Sequence, residues 1–234
     1  MPADRVGTGF DTIEPPEINN FIHPSGTHIV WSLMSTFLFV IASYLIGSLS
    51  FAVIVSRVFG LPDPHSYGSG NPGATNVLRT GKKFAALLTL VGDGGKGAVA
   101  VLLVRLAGPA YGVDLEGAAV CALAAFLGHL FPVFHRLRGG KGVATAAGIL
   151  LAINPWLGLA TLSTWVVIAV FFRISSLAAV VAAVFAPVYC VWLFGINPMA
   201  AAVLLMSLLL IWRHAGNIRR ILRGEESRIG AKKA

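Results

Sequence analysis

The sequence predicts an all-α integral membrane protein, a bundle of about seven transmembrane helices with short motif-bearing loops. Three observations carry that prediction. Of 234 residues, 56% are hydrophobic and 12% charged, where a soluble domain carries about 25% charged residues. Mean hydropathy is +0.78, and the apolar residues gather in runs approaching the roughly 20 needed to cross a bilayer. Basic residues also collect in alternate loops.

Taken in order, residues 1–28 hold Asp4, Asp11, Glu14 and Glu17 with two consecutive prolines. No apolar stretch follows a basic start, so they read as a polar, flexible tail rather than a cleavable signal peptide. Apolar segments follow at about 29–57, 84–106, 117–135, 142–153, 156–172, 174–194 and 199–212. Reading 142–172 as one long helix is the alternative, with a lower count, down to five. The membrane domain then covers 29–214, and 215–234 form a basic C-terminal segment.

Charge orients the bundle. With seven spans, one set of loops holds Arg79, Lys82 and Lys83, then Arg136, Arg138 and Lys141, then Arg173, then the basic tail. The opposite loops hold Asp114 and Glu116, or no charge. This asymmetry predicts an exterior N-terminus and a cytoplasmic C-terminus. It assigns the net charge of +8 to one membrane face and points away from nucleic acid. Cys121 and Cys190 both lie in apolar runs, which suits buried packing, not a metal or a disulfide framework.

Four polar stretches interrupt the oil. In "GSGNPGATNVLRTGKK" at 68–83, Asn71-Pro72 has the form of an N-cap with proline at the first helical position, and Gly81 that of a stop. A helix between them puts Thr75 and Arg79 on one face. Its open N–H groups and small neighbours are the parts of a phosphate pocket, with an ordinary surface loop as the alternative. In "RLRGGKGVA" at 136–144, Gly139, Gly140 and Gly142 around Lys141 could form a backbone nest for an anion, or merely a flexible turn. The P-loop spacing is absent.

"WRHAGNIRRILRGEE" at 212–226 sets His214 and Asn217 on one helical face, followed by Arg219, Arg220 and Arg223. It fits a basic amphipathic helix on the membrane surface, or a site if His214 and Asn217 face inward. "GDGGKG" at 92–97 is the most costly stretch, since a lysine or aspartate at mid-membrane costs about 2.5–3.5 kcal/mol. Asp93 and Lys96, three apart, can pair; intramembrane charge points to a functional role, a purely structural ion pair being the alternative. No paired carboxylates, Ser-His-Asp order or metal-binding cluster is evident.

"GSGNPGATNVLR", "GHLFPVFHRLRGGKGVAT" and "RHAGNIRRILRGEE", with "GSLSF" at 47–51 and "DGGKG" at 93–97, resemble the motifs of the bacterial acyl-phosphate:glycerol-3-phosphate acyltransferases, the PlsY family. The chain departs from that pattern at Ser50, Gly94-Gly95 and Ala215-Gly216. The resemblance implies a seven-span inner-membrane enzyme with a cytoplasmic active site. It would move a fatty acyl group from acyl phosphate to the sn-1 hydroxyl of glycerol 3-phosphate. Ser69, Arg79, His214 and Asn217 would be catalytic, and Gly139, Gly140, Lys141 and Gly142 would hold the acyl phosphate. Asn71, Thr75, Asn76 and Lys96 complete the candidate substrate-binding set, with Asp93 and Glu225 in support. Membrane lipids surround it; no cofactor, metal or protein partner is implied. A transporter for a phosphorylated or anionic solute is the competing function, though no repeat of polar positions between two halves is seen. A lipid-binding scaffold is a third reading, which leaves Ser69, Arg79 and the glycine clusters unexplained.

Overall fold

The computed structural model describes residues 26–230, which form ten α-helices and, among the described residues, no strand. Most of the expected 1–28 tail lies outside the described residues, as do residues 231–234.

The first apolar segment does not run unbroken to residue 57. It divides into α1 (Gly26–Gly47) and α2 (Phe51–Val58). At the break the Ser48 hydroxyl donates to the carbonyl of Tyr44 at 2.8 Å, one of the local bonds that compete with a helical ladder. The freed carbonyl of Leu49 accepts from the Lys96 ammonium. α3 (Ala74–Leu78) is a single short turn of helix, and α4 (Lys83–Ala107) the longest element. α5 (Leu115–Leu130) is capped by Asp114, which accepts from the Gly117 N–H at 2.8 Å.

α6 (Val143–Ile153) and α7 (Pro155–Phe172) meet at Asn154, whose side chain accepts from the N–H groups of Trp156 at 2.9 Å and Leu157 at 3.3 Å. A Cβ on Gly158 would strike Leu151, so the chain reverses here and 142–172 is two helices. α8 (Ser175–Phe194) leads to α9 (Pro198–Arg213), capped by Asn197. The strongly amphipathic α10 (Ala215–Leu222) turns away from α9 by 57°. Asn and Asp caps, with Pro at the first helical position of α7 and α9, are the usual means of satisfying open N–H groups at a helix start.

All seven apolar segments are helical, but seven full spans are not what their lengths give. Five described helical segments are long and apolar enough to cross alone, or six if the bent α9–α10 pair counts as one. α6 has 11 residues, about 16 Å at 1.5 Å per residue, roughly half the ~30 Å hydrocarbon thickness.

Small residues let the helices touch backbone to backbone, the packing that replaces hydrophobic drive between helices in lipid. α4 meets α6 where a Cβ on Gly97 would strike the carbonyl of Thr145 and one on Gly148 the main chain of Gly94. α1 meets α5 where Gly47 abuts the carbonyl of Ala125. Phe126, Leu130 and Ile149 fill the buried centre with Met206 and Leu210 of α9, while Phe171 and Trp192 are about four-fifths exposed on the lipid-facing surface.

Gly148→Ala should therefore lower the melting temperature in detergent, the strain of overpacking being about 1–3 kcal/mol. Gly95→Ala on α4, whose Cβ meets nothing within 4 Å, should be neutral or raise it slightly, because Ala is the better helix former by roughly 0.5–1 kcal/mol.

Candidate active site

One cavity of about 360 Å³ gathers most of the polar motifs at one end and apolar side chains at the other. Its polar mouth is lined by Ser69, Asn71, Thr75, Asn76 and Arg79 from the α2–α4 connection, Asp93 and His129 from α4 and α5, Lys141 and Gly142, and His214 and Asn217. Its apolar end lies among α6, α7, α8 and α9.

The first motif is a loop braced from within. Helix α3 starts after an extended Gly73, so Asn71-Pro72 is not its N-cap. Asn76 is buried; its amide donates to the carbonyls of Pro64 at 2.9 Å and Tyr67 at 3.2 Å. Its oxygen accepts from the N–H of Ser69 at 3.0 Å and the hydroxyl of Ser69 at 3.3 Å. Two donors and two acceptor sites are thereby used, so Asn76, expected to bind substrate, has its hydrogen-bonding capacity taken up in fixing the loop. Gly68, at φ +60 and close against Asn76, completes the brace. Arg79 and Thr75 are exposed to the mouth, and among the described residues the Arg79 guanidinium donates only to the Ser227 hydroxyl, at 3.5 Å.

The glycine loop is shaped by packing. A Cβ on Gly139 would strike the carbonyls of His129 and Leu130, and one on Gly140 the His129 ring. The Gly140 N–H donates to the carbonyl of His129 at 3.1 Å. Arg213 clamps the loop from α9, donating to the carbonyls of Gly139 at 2.7 Å and Gly140 at 3.2 Å. Gly139 and Gly140 are absent from the cavity wall, which Lys141 and Gly142 line. The expected anion nest is thus an arm that presents Lys141.

The third motif completes the mouth. Lys141 donates to the amide oxygen of Asn217, and the Asn217 amide donates to Glu226 at 2.6 Å. Ser176 at 2.7 Å and Arg220 at 2.7 Å donate to the same carboxylate. Glu225 is exposed, so support falls to Glu226, one residue later. Burial would raise the Glu226 pKa, but its hydrogen bonds from Ser176, Asn217 and Arg220 outweigh that and hold it below the usual carboxylate range. Burial, with Arg220, Arg213 and Arg79 nearby, pulls the Lys141 pKa down to about 8 despite Glu226. His214 is buried, and its Nδ1 lies 2.8 Å from the carbonyl of Leu210. A carbonyl only accepts, so Nδ1 carries the proton and Nε2 keeps a lone pair.

The intramembrane pair divides. Lys96 sits 3.0 Å from Asp93 and donates to Leu49 at the α1–α2 break, away from the cavity wall. Expected among the substrate-binding residues, it does not line the cavity; its ammonium serves the break and Asp93. Asp93 does line the cavity, 3.7 Å from Nδ1 of the buried His129. His129, Arg213, Ser176 and Glu226 were not singled out from the sequence. His129, Arg213 and Glu226 lie inside the quoted motifs, which is the signal that could find them; Ser176 lies outside every motif, and its tertiary contact with Glu226 alone marks it.

Known proteins share this sequence and fold. The sequence profile described as "Glycerol-3-phosphate acyltransferase" matches residues 37–224. Relatives with that name include one from Cupriavidus pinatubonensis, 69% identical over 200 residues, covering 86% of this chain and 99% of its own length. Another, from Ralstonia nicotianae, is 65% identical over 202 residues, covering 86% and 98%. Two crystal structures of PlsY (YgiH), an integral membrane glycerol 3-phosphate acyltransferase, superpose at 35% identity over 84% of this chain and 96% of theirs. The glycerol 3-phosphate form gives a TM-score of 0.77 and the lysophosphatidic acid form 0.76. With its profile match, its close relatives and its shared fold, the chain belongs to the glycerol-3-phosphate acyltransferase family.

Proposed function

We propose that the protein transfers a fatty acyl group from acyl phosphate to the sn-1 hydroxyl of glycerol 3-phosphate, yielding lysophosphatidic acid and phosphate. The observation that carries this reading is a single cavity joining a cationic, amide-lined mouth to an apolar interior. One end suits two phosphates and the other an acyl chain. The basic residues of the mouth, Arg79, Lys141 and Arg220, share one end of the bundle with Arg213, which clamps the glycine loop, and with Lys82 and Lys83. That supports a cytoplasmic site and C-terminus in the bacterial inner membrane, with the N-terminus outside.

The acceptor hydroxyl oxygen attacks the acyl carbonyl carbon; a C–O ester bond forms and the carbonyl–phosphate bond breaks. Phosphate leaves with the electron pair, and the hydroxyl proton passes to Nε2 of His214 or to a substrate phosphate oxygen. Because a mixed anhydride already has a good leaving group, placement and charge neutralisation supply most of the rate. In this scheme Arg79 and Lys141 neutralise the phosphates, Ser69, Asn71 and Thr75 supply polar contacts, and Asn217 fixes the ammonium of Lys141. Gly139, Gly140 and Gly142 shape the arm. The interior of the cavity ends on packed side chains, which favours an enzyme over a transporter.

Purified protein should release phosphate from palmitoyl phosphate only when glycerol 3-phosphate is present, with matching lysophosphatidic acid. Arg79→Ala should lower kcat by about 10²–10³-fold, the usual loss of one preorganised charge-stabilising donor. Release that ignores the acceptor would overturn the reading.

Lys141 also sets a pH limit. Its charge is present below about 8 and lost above it, so kcat/KM for acyl phosphate should fall as pH rises through that value. Lys141→Arg should move that limb to higher pH. Glu226→Gln should cost about tenfold in kcat/KM, the worth of one charge-assisted hydrogen bond, and Glu225→Gln should leave the rate near wild type.

A further inference from the structure

The apolar end of the cavity has a floor. Leu150 of α6, Ala186 of α8 and Val203 of α9 line the cavity and also belong to a tightly buried cluster with Leu157, Cys190 and Ala200. Each of the six is at most 5% exposed. Two independent helices place this floor at one depth. Along α8, Ser176, which bonds Glu226 at the mouth, is ten residues from Ala186, or roughly 15 Å at 1.5 Å per residue. Along α9, Val203 lies eleven residues from His214, or roughly 16 Å.

We propose that this floor measures the acyl chain: Leu150, Ala186 and Val203 determine how many methylenes the donor seats. The inference rests on the acyl-phosphate reading above. A C–C bond of about 1.52 Å advances an extended chain by roughly 1.25 Å per methylene, so the floor meets about the twelfth carbon. Between mouth and floor the wall offers Ala179, Ala182 and Ala183 of α8, Leu162 and Val166 of α7, and Met206 of α9. Each methylene seated there is worth about fourfold in affinity; those beyond the floor gain no such contact and turn towards lipid. Half-exposed Leu90 and Val166 on the cavity wall give them a way out.

The experiment is a series of acyl phosphates from eight to eighteen carbons in detergent micelles, assayed for acceptor-dependent phosphate release. The readout is variant over wild-type kcat/KM at each length, a ratio from which micelle partitioning cancels. Ala186→Phe raises the floor, so its ratio should be level for short chains and fall for long ones, by about fifteenfold for two displaced methylenes. Leu150→Ala lowers the floor and should tilt the ratio the other way, favouring long chains. Ratios flat with length in both variants would overturn the ruler and leave the acyltransferase reading standing. A wild-type protein inert at every length would overturn both.

Discussion

The mouth of the cavity depends on one chain of hydrogen bonds, from Lys141 through Asn217 to Glu226 and on to Ser176 and Arg220. It ties together the glycine arm, the C-terminal helix and the start of α8, which lie far apart in sequence. An amide at its centre matters, because only a side chain that both accepts and donates can face an ammonium on one side and a carboxylate on the other. Lys141 is thus oriented without being paired directly to an acid. Its other two N–H donors stay available to a phosphate, and the carboxylate that balances it is reached through Asn217.

That arrangement suits the proposed acyl-phosphate chemistry. Acyl phosphate reacts with water as well as with alcohols, so a strong base beside it would spend the donor on hydrolysis. The site instead offers cations, hydroxyls and amides, with a histidine whose proton sits on Nδ1 against the Leu210 carbonyl. Selectivity for the acceptor can then come from positioning, since a glycerol phosphate held by its own charge presents a hydroxyl that a passing water cannot match.

The sequence made the apolar segments and the polar motifs legible because both are local signals. The segments expected at about 156–172 and 199–212 are helices that start one residue earlier, at Pro155 and Pro198, each after a capping asparagine. What could not be read is what tertiary contact decides. The α1–α2 break sits in a run apolar enough to read as one helix; it persists because Lys96, 47 residues away, satisfies the Leu49 carbonyl. The same bond holds Lys96 away from the cavity wall. Asn76 looked free to bind phosphate until the loop closed around it, and Gly139 and Gly140 proved to be spaces for the end of α5. Glu225 and Glu226 are indistinguishable by composition. Only the turn after α10 decides that the second faces Asn217 and the first faces outward.

Helix α6 shows how these features constrain one another. Eleven residues cannot cross the membrane, so its last turn would leave carbonyls unsatisfied in hydrocarbon, at several kcal/mol each. Arg105 from the far end of α4 answers that need, donating to the carbonyls of Ala152 and Ile153, while Asn154 caps the helix that returns. With its C-terminus fixed by Arg105 and its flank locked to α4 through Gly94 and Gly148, α6 has little freedom to slide. Its N-terminus therefore holds Lys141 at the mouth, and Leu150 is held at the floor. A full-length span in its place would carry its first turn out of the bilayer or its apolar face past the floor. The short helix keeps phosphate end and acyl end a fixed distance apart, which is the property a ruler requires.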